Sequence, residues 1–193
     1  MTYNLRPSLR IVLFLSLWVA VTSAASGPWR VGQAEVSVKC PMTVGGSFDA
    51  RTSALTGTLT ASAGRPSFEG SLAVDLRTVD TGIDLRNEHL REKYLEVDKG
   101  EGYDQAILSE VALQGLNPDA PTGKGSFTGS LMLHGVKKTV TGPAEIRQAG
   151  TGWRVRASFP LNLPDYNIDK PRYLGVGVKD TVQVTVTFTA TQP

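Results

Sequence analysis

The chain has 193 residues, 20 Lys and Arg against 18 Asp and Glu, and one cysteine. Near-balanced charge argues against the net basic surface that nucleic acid or an anionic membrane would select. A single cysteine excludes an intramolecular disulfide, so the fold must rest on its core and its hydrogen-bond ladder.

The first segment reads as a targeting signal. Arg6 and Arg10 precede an eleven-residue apolar run, Ile11 to Val21, and the small residues Thr22-Ser23-Ala24-Ala25 follow. A basic start, a short apolar centre and a small-residue cleavage site predict a secretory signal peptide over residues 1–25, cut after Ala24 or Ala25. The run is too short to span a hydrocarbon core of roughly 30 Å. Residues 1–25 hold two of the basic residues and none of the acidic ones, so the remainder, 26–193, carries equal numbers of each. One domain is expected there, in a periplasmic or secreted protein with no stable membrane insertion.

From residue 36 onward the chain alternates with period two. The runs are Val36-Val38-Cys40, then Leu55-Gly57-Leu59-Ala61, then Phe68-Gly70-Leu72-Val74-Leu76. After an interruption come Ser109-Val111-Leu113, Phe127-Gly129-Leu131-Leu133, and Val136 with Val140-Gly142-Ala144-Ile146. The last two are Trp153-Val155-Ala157-Phe159-Leu161-Leu163 and Val182-Val184-Val186-Phe188-Ala190. Each predicts a strand with one dry and one wet face, and turn residues separate them. Eight runs in sequence predict an antiparallel meander, and closing it into a barrel removes exposed edges. Cys40 falls on the dry face, where it reads as a small core residue.

The interruption, Asp80 to Val97, is the one segment of this domain that reads as a helix. Asp84 is placed to cap it, and Ile83, Leu90, Tyr94 and Val97 share an apolar face. Arg86, Asn87, Arg91 and Lys93 fall largely off that face. A short amphipathic helix needs a surface to cover, which here is the sheet. The charged face of Arg86, Glu88, Arg91 and Glu92 is most simply solvated; its functional alternative is that Arg86 and Arg91 meet an anionic ligand head at the barrel mouth. The irregular stretch Pro164 to Val178 is too apolar for a free loop and is expected to fold over one mouth.

Many inward positions are small: Gly57, Ala61, Gly70, Gly129, Gly142, Ala144, Ala157 and Ala190. They suggest internal space, or else the glycines mark strand bends and bulges. A lumen as long as the strands would suit an extended hydrocarbon chain. Its expected wall is Phe68, Leu72 and Val74, Leu131 and Leu133, Phe159 and Leu161, and Val184, Val186 and Phe188. The rival is a solid barrel serving as a stress-related interaction module without ligand. His89 and His134 lack metal-ligand spacing, and no G-x-S-x-G elbow or phosphate loop is present. No catalytic site, metal or cofactor is expected.

Three motifs occur in order: T-V-D-T-G-x-x-x-R-N-E-H-L-R (Thr78 to Arg91), L-x-L-H-G-V-x-K (Leu131 to Lys138) and Y-L-G-V-x-V-x-D-x-V-x-V-x-V-x-F (Tyr173 to Phe188). In them the chain resembles the YceI-like family of exported, lipocalin-like polyisoprenoid-binding proteins. The resemblance implies an eight-stranded antiparallel barrel with one helix across it. It further implies an apolar tunnel for a polyisoprenoid or isoprenoid-quinone-like chain, and no enzymatic activity. Two connections depart from the family pattern: Lys99 to Asp104 lacks the usual Tyr-Pro, and Tyr166-Asn167-Ile168 stands where Phe-Gly-Ile is common.

Overall fold

A computed structural model of the chain describes residues 27–62, 67–116, 122–170, 172–173 and 176–191. The signal-peptide segment and the turns at Gly64-Arg65-Pro66 and Asn117-Pro118-Asp119 lie outside the described residues.

The strands are β1 (Trp29–Pro41), β2 (Ser47–Thr52), β3 (Leu55–Ala61), β4 (Ser67–Asp75), β5 (Gln105–Gln114), β6 (Gly123–Leu133), β7 (Val136–Ala149) and β8 (Gly152–Asn162). A two-stranded ribbon, β9 (Arg172–Tyr173) with β10 (Val176–Gly177), precedes β11 (Thr181–Thr191). Pairing runs β11-β8-β7-β6-β5-β4-β3-β1-β2, and β11 also pairs with β1. The sheet therefore closes. β2 and β3 both lie against β1, at its end and its start respectively, so together they serve as one barrel stave and the barrel has eight. β2, with its Phe48-Ala50-Thr52 alternation, escaped the sequence reading.

Period-two alternation sends the expected runs inward in seven of the eight cases, and the fifth strand is the exception. Glu110 has φ 55°, and the register of β5 shifts between Ser109 and Ala112 on its β6 side. This β-bulge changes the phase. Ala106 and Leu108 face the lumen before it and Val111 and Leu113 after it, while Ser109, expected inward, does not line the lumen.

The inward glycines chiefly serve close approach. A Cβ on Gly142 would lie 1.9 Å from the Ser158 carbonyl oxygen, and one on Gly57, at φ 135°, 2.2 Å from that of Ser71. Neither position accepts a side chain without moving a neighbouring strand. Phe127 and Phe159 meet edge to face, centroids 5.8 Å apart, within the buried wall. At the barrel end holding the start of β1 and β8, Trp29 and Trp153 approach to 5.8 Å.

The opposite end carries the helix, the β6–β7 turn, residues 163–170 and 176–180, and the β1–β2 turn. The expected long helix is broken. α1 covers Asp84–His89 only, followed by a wider π-type turn over Leu90–Tyr94, where the Leu95 N–H donates to the Leu90 carbonyl at 2.8 Å. Asp84 does not cap it: the cap position is extended Ile83, without a side-chain bond. The N-terminus is anchored instead by buried Asn87. Its Oδ1 accepts from the Thr81 N–H at 2.8 Å and the Thr81 hydroxyl at 2.7 Å, and its Nδ2 donates to Asp80. Asn87, expected off the buried face, is thus the helix's most buried residue, whereas Ile83 is half exposed. No helix among the described residues is long and apolar enough to cross a membrane.

Candidate ligand cavity

The barrel interior is not packed solid. A cavity of about 830 Å³ occupies it, toward the upper end of the roughly 300–1,000 Å³ typical of small-molecule sites. All ten residues named from the sequence for the lumen wall lie on it: Phe68, Leu72, Val74, Leu131, Leu133, Phe159, Leu161, Val184, Val186 and Phe188. They come from four strands, β4, β6, β8 and β11, because every second residue of a strand faces one side. Ala144, Ala157 and Ala190 also line it, so its space comes from small side chains while the glycines bend and seat the strands.

The opening lies at the helix end. Ile83, Leu85, His89, Lys93 and Val176 line the cavity and are solvent-exposed. Ile168, Asp169, Gly177 and Val178, all from the irregular stretch, form part of the same rim, which the Thr43 N–H clips to the Gly177 carbonyl at 2.7 Å. The side chains of Tyr173 and Leu174 lie outside the described residues.

Arg86, His89, Leu90, Lys93, Tyr94 and Leu95 of the helix and the turn after it all line the cavity. Leu90 and Tyr94 were expected on the buried face and Arg86 was offered for the mouth, whereas His89, Lys93 and Leu95 escaped the sequence reading. The signal was present, since 86, 89, 90 and 93 are spaced three, one and three apart; a stripe traced through apolar letters alone passed over it. Arg86 places its guanidinium 4.2 Å from the ring centroid of Phe48. Arg91, expected to share the mouth, turns away: its Nη2 donates to the Val79 carbonyl at 3.1 Å, and it is absent from the wall. Among the described residues the four charges read as a solvated face make no ion pair with one another.

Cys40 is buried on the wall, and its thiol is pushed up to about 11, by desolvation first and by Asp49 second, with Arg86 opposing. The two histidines are far apart in role. His89 stands at the opening. His134 is buried in the two-residue β6–β7 turn, where it and Gly135 have φ 50° and 73°, as hairpins of this twist require. Its Nδ1–H donates to the Tyr166 carbonyl at 3.0 Å, Nε2 lies 3.0 Å from a Glu96 carboxylate oxygen, and Tyr103 packs edge-on at 4.7 Å. Among the described residues no group of three or more His, Cys, Asp or Glu side chains could hold a metal ion.

A family description, the YceI-like domain, matches residues 29–190. Among solved structures, Burkholderia cenocepacia BcnA is 20% identical, with TM-score 0.66 over 82% of this chain and 96% of that one. A polyisoprenoid binding domain from Saccharophagus degradans, implicated in plant cell wall breakdown, is 18% identical, with TM-score 0.65 over 86% and 98%. The Campylobacter jejuni YCEI protein is 16% identical, with TM-score 0.54 over 72% and 81%. At such identities the likeness is one of fold. No curated protein matches the chain.

Proposed function

Because the chain belongs to the YceI-like family, we propose that it is a binding protein, not an enzyme, that carries a lipophilic ligand of the polyisoprenoid or isoprenoid-quinone kind in its barrel. The observation that carries this reading is the cavity of about 830 Å³, walled by apolar side chains of the barrel strands and open at one end. Binding would draw on the removal of hydrocarbon from water, roughly 25 cal/mol per Å² before ordering costs. The ten wall residues named above would be its contacts. The basic, apolar and small-residue pattern of residues 1–25 supports export to the periplasm or beyond. An unfilled apolar cavity of this size forfeits core packing contacts, which a module acting only through its outer surface has no reason to give up.

The test is organic extraction of the protein purified under native conditions, followed by mass spectrometry. An isoprenoid lipid recovered at about one per chain is the expected result. Recovery of no lipid, together with failure of the delipidated protein to take up geranylgeraniol, would refute the proposal.

A further inference from the structure

The helix at the opening sorts its charges. It and the turn after it carry three acids, Asp84, Glu88 and Glu92, and four basic or imidazole side chains, Arg86, His89, Arg91 and Lys93. None of the three acids lines the cavity, whereas Arg86, His89 and Lys93 all do. Spaced three and four apart, these three share the face turned toward the lumen. Among the described residues, Asp169, exposed on the rim, is the one acidic side chain on the wall. Among the described residues neither Arg86 nor Lys93 has a carboxylate within ion-pair distance. Their contacts are aromatic: Arg86 on Phe48 and Lys93 5.9 Å from the Tyr94 ring centroid.

Resting on the lipid-cavity reading, we infer that Arg86, His89 and Lys93 form a head-group subsite, and that the ligand is an acidic lipid whose phosphate or carboxylate lies at the opening. In the empty protein, water solvates the Arg86 and Lys93 cations and the His89 ring. A hydrocarbon chain filling the lumen would displace that water from the mouth. A cation so dehydrated is costly unless an opposite charge takes the water's place. An alcohol or quinone head brings only acceptors without charge. A phosphate or carboxylate brings the missing charge and accepts from several of these donors together. Phe48 beneath the guanidinium holds Arg86 at the opening and leaves its N–H edges for the ligand.

The experiment measures dissociation constants for geranylgeraniol, geranylgeranoic acid and geranylgeranyl monophosphate, one chain with three heads, on delipidated full-length mature protein. At least one acidic form is expected to bind tenfold or more tighter than the alcohol, and the tighter of the two identifies the head. In Arg86→Gln/Lys93→Gln the preference should fall below about threefold, while Arg86→Lys/Lys93→Arg should keep it. The readout is the ratio of acidic to neutral affinity, in which a general loss from poor folding cancels. The preference should also shrink as salt is raised, since Lys93 is exposed and exposed charges are screened. Equal affinity for all three heads, or a preference that survives the glutamine pair, would overturn the inference and leave the lipid cavity intact. No binding of any head would overturn both.

Discussion

Asn87 reaches back seven residues to Asp80, its Nδ2 donating to Oδ1 at 2.7 Å. Asp80 is itself held in the β-ladder, exchanging both backbone bonds with Arg51 of β2 at 2.7 and 2.8 Å. The helix that frames the cavity opening is thereby fastened to the barrel wall by one buried amide.

Replacing Asn87 by Ala should therefore destabilise the protein by about 2–3 kcal/mol, since it leaves the Thr81 N–H and hydroxyl short of an acceptor. The local effect should exceed the global one. Hydrogen exchange over residues 81–95 should quicken more than exchange in β6 to β8, and a uniform acceleration would contradict the tether.

The His134 ring joins three connections at the same barrel end, through Glu96, Tyr103 and Tyr166. His134→Ala is expected to cost about 2–3 kcal/mol in urea unfolding, because one buried and one part-buried hydrogen bond go at once.

Glu96 makes this end acid-sensitive. The Lys99 ammonium, bonded at 2.8 Å, and then His134 hold its carboxyl below the usual carboxylate range. Folding lowers this pKa, so the contribution is present above the unfolded value and is lost as pH falls through the folded one. Between about pH 5 and about pH 3 the melting temperature of the parent protein should fall more steeply than that of Glu96→Gln. Parallel curves would show that the pair contributes nothing.

Cys40 works in the opposite direction. Its thiol titrates near 11 in the folded protein against 9.0 in the open chain. A raised pKa means the contribution is complete below the unfolded value and lost as pH rises toward the folded one. Cys40→Ala should therefore flatten the decline in stability between about pH 9 and about pH 11. At neutral pH the native thiol should resist iodoacetamide and react once urea unfolds the chain, as only the thiolate attacks. Fast labelling of the native protein would contradict its burial.

Ala157 tests the empty lumen. It faces the cavity from β8, opposite Val186 of β11. In a filled core, Ala157→Leu would overpack and cost about 1–3 kcal/mol. Here stability should change by less than about 1 kcal/mol, while the affinity for geranylgeraniol drops as the lumen narrows. A large loss of stability would mean that the interior is already full.

Much of this architecture was legible in the residues. Alternation is a local, covalent property of an extended chain, so it assigned the lumen face of nearly every strand, and through it the ten wall residues, without knowledge of their neighbours. The helix was legible as an interruption, but its extent and orientation were not. Asn87 became its anchor only because Asp80 and Thr81 were folded under it. Arg86, His89 and Lys93 turned inward because the helix lies along the rim.

What the tertiary structure alone decided follows the same division. The left-handed Glu110 inserts a bulge and turns Ser109 out of phase, which no repeat in the letters announces. The meeting of His134 with Glu96 and Tyr166 spans three separate connections. Whether the barrel is hollow depends on how closely strands approach at Gly57 and Gly142 and how far apart the opposite walls then stand. That distance is a property of the closed sheet as a whole, to which no single stretch of sequence refers.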